Sequence, residues 1–366
     1  MKKKLLPALI VTGLIILVVI IMGITALINK YTPTKKTEDL KEYFNISSDD
    51  EAALIVDNEL SDYKAKIIDK KIYVDYKFVH DSLNSRFYWD ANENVLLYTT
   101  ASDIISAAAD SNSYSVTKQT NDFGYPIVKA TSDSALIALD YVKQYSNITF
   151  KSYDDPARIV ITSKWDEIDS ATVSKSTQIR VKGGIKSPIL KEVKKDDKIT
   201  ILDSGDKWDK VATEDGVIGY IKRKALSESK KTKLTNPDYE EETFTHIKKD
   251  KDICLAWNQV TSQSANSKVP QVISSTKGIN VMSPTWFYLN DNNGNLADIA
   301  SKDYVSYCHS QGIEVWGLFS NFENTDVDAA YVLTHTSTRT TLINQIMSAA
   351  FNYELDGVNI CLLYTS

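Results

Sequence analysis

From Leu5 to Ile28 the chain runs for 24 residues without one charged side chain. As a helix that run measures about 36 Å at ~1.5 Å per residue, enough to cross a hydrocarbon core of ~30 Å with some tilt. A charge at its centre would cost roughly 2.5–3.5 kcal/mol on insertion scales, and none is present. Met1-Lys2-Lys3-Lys4 precedes the run, and Lys30, Lys35 and Lys36 follow it. The flanking charge bias is weak, but the shortness of the N-terminal arm favours its staying in the cytoplasm. A cleaved signal peptide is the competing reading. The run exceeds the usual ~7–15-residue apolar core of such peptides and lacks a convincing small-x-small cleavage site, which favours an uncleaved anchor. The expectation is a single-pass cell-membrane protein: residues 1–4 cytoplasmic, 5–28 in the bilayer, and the bulk of the chain extracellular.

The remainder has the composition of globular protein, 43% hydrophobic and 25% charged over 366 residues, which allows two or three domains. A net charge of -6 argues against a nucleic-acid partner. Cys254, Cys308 and Cys361 have no metal-ligand spacing, and His80, His246, His309 and His335 are scattered. Neither a disulfide framework, a metal site nor a cofactor is expected. Residues 29–50 are polar, carry Pro33, and read as a linker lifting the rest off the membrane.

Region 51–165 reads as a small α+β unit with an internal duplication. Lys71-Ile72-Tyr73-Val74, a helix-like Phe78 to Asn84, Phe87-Tyr88-Trp89-Asp90 and the strand Val95 to Thr99 form the first copy. Tyr141-Val142, Ser146-Asn147, Phe150, Tyr153-Asp154 and the strand Ile159 to Thr162 repeat it at an offset of 63, later 64, residues. Apolar alternation around a tight Asp/Asn-containing turn predicts a hairpin in each copy. The region resembles the small duplicated domain named after the N-terminal stalk of copper amine oxidases. That resemblance implies a spacer, or a module binding glycan or peptide; no copper site comes with it. Region 171–226 has short β-like runs, including Gln178 to Val181, Lys198 to Leu202, Trp208 to Val211 and Gly219-Tyr220-Ile221, separated by Gly, Asp and Ser. It is similar to a bacterial Src-homology-3-like domain, which implies a small barrel with Trp208 and Tyr220 in its core or groove, serving wall attachment or spacing. Residues 227–243 form a second, Lys- and Glu-rich linker.

In region 244–360, strand-like runs alternate with helix-length intervals. The runs are Ile253 to Trp257, Ile279 to Phe287, Glu314 to Phe319 and Gly357 to Ile360. Ser301 to Gln311 and Thr340 to Tyr353 have helical spacing, with Leu342, Ile346, Ala349 and Ala350 on one face and Gly312 as a C-cap. Such alternation predicts a parallel β/α architecture, doubly wound or a barrel. Trp257, Trp286 and Trp316 near the strand ends, with Tyr288 and Asn321 just beyond, favour the barrel, whose active-site face is at that end. Flat rings there suit sugar faces and amides suit sugar hydroxyls, so these five are the candidate substrate-binding residues; packing between strands is the alternative for each Trp.

Gly278 to Phe287, Gln311 to Gly317 and Leu355 to Ile360 resemble glycoside hydrolase family 18, in its bacterial cell-wall and spore-cortex branch. The resemblance implies the first half of a (β/α)8 TIM barrel that cleaves β-1,4 bonds next to an N-acetylated sugar, with the substrate's acetamido oxygen as nucleophile. It takes Asp356 as the first residue of the strand-four catalytic motif Asp-Gly-x-x-x-Asp-x-Glu. The second Asp and the acid Glu would fall at 361 and 363, where Cys361 and Leu363 stand, and a positioned general acid is worth ~10²–10⁴ in rate. The implied function is a membrane-anchored glycosidase acting on peptidoglycan in preference to chitin; a non-catalytic wall-binding or scaffold protein is the alternative. Cys361 to Ser366 back-translates to TGTCTCTTATACACATCT, the transposase adapter of sequencing libraries. Residues 361–366 are therefore expected to be adapter-derived, and resequencing the locus is expected to replace them; a genomic stop codon after Ser366 would contradict this.

Overall fold

The computed structural model describes residues 2–363, with side chains from Ile10 onward. Met1 of the expected cytoplasmic arm and residues 364–366 of the expected adapter-derived tail lie outside the described residues. The chain divides into two compact units, Met1–Ser85 with Thr131–Glu241, and Arg86–Ala130 with Glu242–Ser366.

The first unit opens with one helix, Lys2–Tyr31. Its segment Ile10–Tyr31 is long and apolar enough to cross a membrane and buries none of its side chains, as befits an anchor or a signal sequence. Two sheets follow. In the first, Glu51–Val56 lies between Glu59–Ile68, antiparallel to it, and Arg158–Thr162, parallel to it. Lys71–Asp75, from the expected first copy, pairs antiparallel with Ala135–Ala138. The predicted second hairpin is Thr149–Tyr153 against Arg158–Thr162. The other sheet has seven strands and reaches from Glu167–Thr172 to Lys230–Lys233, past both ends of region 171–226. The two sheets share a core that includes Ala53, Ile55, Val193, Ile199 and Val217.

Residues 34–46 depart from the expected free linker. Thr34 N donates to Ile185 O and Glu38 N to Ile189 O, both at 2.8 Å, while Ile189 N donates to Lys36 O at 2.9 Å. Tyr43 Oη donates to Ile218 O at 2.6 Å, and Phe44 is buried in the shared core. The segment is a strap along the edge of the second sheet, because its backbone groups complete that edge.

In the second unit, four parallel strands lie side by side in sequence order: β1 (Leu255–Asn258), β2 (Val281–Leu289), β3 (Glu314–Ser320) and β4 (Gly357–Cys361). Sequential order with crossovers of one hand puts the connecting helices on one face of a sheet. Helices α1 (Lys302–Ser310) and α2 (Thr336–Asn352) pack there. Val305 and Cys308 of α1, with Leu342, Ile346 and Ala349 of α2, meet Met282, Phe287, Val315 and Phe319 in one core.

The predicted first hairpin, Phe87–Asp90 with Val95–Thr99, belongs to this unit and continues into a five-stranded meander through Gln119–Asp122. The meander caps α2, whose N-cap residue His335 makes no side-chain cap bond. Asp90 Oδ2 accepts from Thr336 N at 2.7 Å and from Thr336 Oγ1 at 2.5 Å, and Glu93 accepts from Ser337 N at 3.0 Å. Two carboxylates thus meet the unpaired N–H groups and positive dipole end of the helix. Burial works to raise the Asp90 carboxyl, yet the hydrogen bonds from Thr336 and from the Glu93 and Asn92 amides hold it below its usual range. A carboxyl lowered on folding stabilises at neutral pH and loses that contribution as pH falls through its folded value. Asp90→Asn is expected to destabilise this unit by about 1 kcal/mol at neutral pH through loss of the charge on the helix dipole, with the gap to wild type closing below about pH 4. Thermal unfolding followed by amide exchange in the first turn of α2 checks this; a gap independent of pH would contradict the capping role.

Candidate functional site

A cleft of about 570 Å³ opens at the C-terminal ends of the parallel strands, walled in part by Trp257, Tyr288, Phe322, Gln259, Glu323 and Cys361. Which side chains reach it follows from the alternation of each strand. Thr285, Leu318 and Cys361 line the cleft, on the face turned away from the helices. Deeper on that face the Asn359 amide donates to Ser283 Oγ at 3.1 Å.

Strand β2 breaks its own alternation. Thr285 pairs with Leu318, but Phe287 pairs with Phe319, so two residues of β2 stand against one of β3. This β-bulge shifts the phase by one. Ahead of it Thr285 faces the cleft; beyond it Tyr288 does, while Phe287 turns into the helix-side core. Phe287 closes over Gly317, where an added Cβ would come within 2.5 Å of its ring.

The structure sorts the residues singled out from the sequence. Trp257, in β1 opposite Ser283, has 72% of its surface open and presents a flat ring to the cleft. Tyr288 lines the same cleft. Trp286 does not: it is fully buried on the helix side, donates its N–H to Asn266 Oδ1 at 2.8 Å and meets the Tyr304 ring edge-on. Plain alternation explains this, because Trp286 follows the cleft-facing Thr285; the bulge then adds Phe287 to the same side. Trp316 is only the third residue of the seven in β3, so it stands at the wrong end of the strand. Its indole lies over Gly357 and donates to Glu314 Oε2 at 3.1 Å. The Asn321 amide is engaged with the backbone of Leu363, accepting at 2.8 Å and donating at 3.0 Å.

Asp356 is also corrected. Its Oδ2 accepts from Val315 N at 2.8 Å and lies 2.8 Å from the ring nitrogen of His309. It precedes β4, five residues before Cys361, which is roughly 17 Å along a strand at ~3.3 Å per residue. Its role is to tie β4 to β3 and α1, far from the cleft. The neighbouring Cys308 is no nucleophile: burial, then the Asp356 carboxylate, pushes its thiol up to about 12.

Sequence reasoning missed Glu323, the one carboxylate among the described lining residues of the cleft. Its Oε2 accepts from Ser320 Oγ at 2.5 Å. The available signal was position, since it lies three residues past β3, on the same loop as Asn321 and Phe322. Among the described residues no group of three His, Cys, Asp or Glu side chains is placed to hold a metal ion. A second cavity, of about 640 Å³, lies in the first unit and is walled in part by Thr149, Thr162, Ser170, Thr200, Lys151 and Lys230.

No family model and no curated protein matches the sequence. Among solved structures the chain is similar to the C-terminal domain of a provisionally named chitinase from Desulfitobacterium hafniense DCB-2, with 21% identity over 31% of this chain and 34% of that one, at a TM-score of 0.27. It is similar to a chitinase from Chromobacterium violaceum ATCC 12472, with 15% identity over 30% of this chain and 34% of that one, at a TM-score of 0.24. NlpC1 from Trichomonas vaginalis aligns at 14% identity over 39% of this chain and 44% of that one, at a TM-score of 0.16. The chain thus spans about a third of the length of the two chitinases.

Gly317→Ala is expected to displace Phe287, and with it the bulge that aims Tyr288. The predicted loss is about 1–3 kcal/mol in stability of the second unit, the usual cost of overpacking. Denaturant unfolding of the variant measures it, and wild-type stability would contradict the proposed packing.

Proposed function

We propose that the second unit is the first half of a (β/α)8 barrel of the glycoside hydrolase family 18 kind. Its strand-end cleft binds β-1,4-linked polymers containing N-acetylglucosamine, and the apolar helix tethers the chain to the cell membrane. The observation that carries this reading is the open ring of Trp257 at the C-terminal ends of parallel strands, where barrel enzymes keep their active sites. Helices on one face only are what a closing barrel requires, and a doubly wound sheet has them on both. Trp257, Tyr288 and Phe322 offer apolar surface to sugar rings, while Gln259 and Glu323 offer hydrogen bonds to hydroxyls. A membrane tether favours peptidoglycan over chitin.

Hydrolysis by this route needs a carboxylic acid to protonate the leaving oxygen and a second carboxylate to steer the acetamido group. Cys361, two residues past Asn359 in β4, lines the cleft, and Leu363 lies two residues beyond the end of the strand. Cys361 and Leu363 cannot do this chemistry. The chain with these residues binds the glycan without cleaving it, and turnover belongs to a polypeptide with Asp and Glu at 361 and 363. A purely wall-binding role is the second reading, and the same two residues favour it. Reducing-end release from peptidoglycan by a product carrying both acids would decide for the enzyme; binding without release would decide for the wall-binding protein.

Removing a ring that covers about 60 Å² of sugar face costs about 1.5 kcal/mol at ~25 cal/mol per Å², or roughly tenfold in affinity. Titration of an N-acetylglucosamine oligomer against the protein, followed by calorimetry, is expected to show that loss in Trp257→Ala. Equal affinity of variant and wild type would contradict the cleft as the glycan site.

A further inference from the structure

The carbonyls in the last turn of any helix lack partners within it. At the end of Lys2–Tyr31 they are met from more than 150 residues away. The Lys186 ammonium donates to Thr32 O at 2.7 Å and also to Asn29 O. A cation at that end also complements the helix dipole. Lys186 lies in the loop joining strands Thr177–Arg180 and Ile189–Val193. The backbone secures the same junction, since Thr34 N bonds to Ile185 O and Arg180 Nη2 donates to Thr34 O at 3.2 Å. Two residues, Thr32 and Pro33, separate the helix from this pairing. The sheet is therefore fixed to the helix end rather than swinging on a flexible stalk.

With Leu5 to Ile28 in the hydrocarbon core, Asn29 to Thr32 stand at headgroup level, and the loop that caps them stands there too. The loop carries Lys182 and Lys186, the latter held on Asn29 O and Thr32 O around Lys30, with Lys35 and Lys36 next along the strap, and all five side chains are exposed. No ion pair among the described residues engages any of them. The carboxylates next in sequence on this strap are Glu38 and Asp39, of which Asp39 accepts from the amide of Lys41 at 2.7 Å.

We infer that loop 181–188 docks on the membrane surface and that its lysines, with Lys30, Lys35 and Lys36, bind the phosphates of anionic lipid headgroups. The inference rests on the reading of Lys2–Tyr31 as a membrane span. Each lysine held near an anionic surface strengthens the association roughly fivefold, so a collar of five is a substantial attachment. Docking also fixes the height of the first unit above the bilayer.

The test uses the full chain in nanodiscs of phosphatidylcholine, with and without phosphatidylglycerol, and reads amide exchange across residues 181–188. Exchange is expected to slow about tenfold in the anionic discs. The triple variant Lys35→Gln, Lys36→Gln, Lys182→Gln, which keeps the Lys186 cap, is expected to abolish the difference. Inorganic phosphate added to neutral discs is expected to leave exchange unchanged; slowing by free phosphate would replace a lipid surface by a soluble phosphate site. Equal exchange in both discs overturns the inference while the membrane span stands. Failure of the chain to co-elute with either disc overturns the span and the inference together.

Discussion

One extra residue in β2 determines what the strand-end cleft can present. Strands alternate with a period of two, so a single bulge exchanges the faces of every residue beyond it. Trp286 already faces the helices by alternation from Thr285, and the exchange sends Phe287 into the same core and turns Tyr288 toward the cleft. Gly317 makes it feasible by leaving room for the Phe287 ring. An aromatic cluster that looks uniform along the sequence is thereby divided into packing on one side and a binding surface on the other.

The ends of the parallel sheet have separate duties. At the N-terminal end, Asp356 holds the Val315 amide and the His309 ring, and Glu314 holds Lys249 and the Trp316 indole. These are polar ties between neighbouring elements. At the C-terminal end the strands give way to loops that carry Gln259, Phe322 and Glu323. In parallel β/α folds conservation of position at the first end serves stability, and at the second end chemistry. The meander adds its own tie by capping α2 through Asp90 and Glu93, so residues from region 51–165 help to build the parallel unit.

Much of this was legible in the sequence wherever periodicity alone decides structure. The apolar run, the four strands, both helices and the two hairpins stand within a few residues of their predicted places, because local alternation and helical spacing specify them. What escaped depends on contacts distant in sequence or on phase. Nothing local marks residues 34–46 as a strap, since the partners of its polar backbone lie about 150 residues on. Nothing local marks the bulge, and nothing local says whether Thr285 or Trp286 faces the cleft, so Trp286 reads as a cleft residue from the sequence alone. Trp316 is singled out as a strand-end ring and Asp356 by family position, and the bounds of β3 and β4 put both at the far end. Glu323 sits in a loop, where no period applies.

The central claim is that the strand-end cleft is a site for N-acetylated glycan. A crystal structure of the protein with a bound N-acetylglucosamine oligomer tests it most directly. The account predicts a sugar ring lying flat on Trp257, with neighbouring sugars against Tyr288 and Phe322. An oligomer seated in the cavity of the first unit, with the cleft beside Trp257 empty, would contradict it.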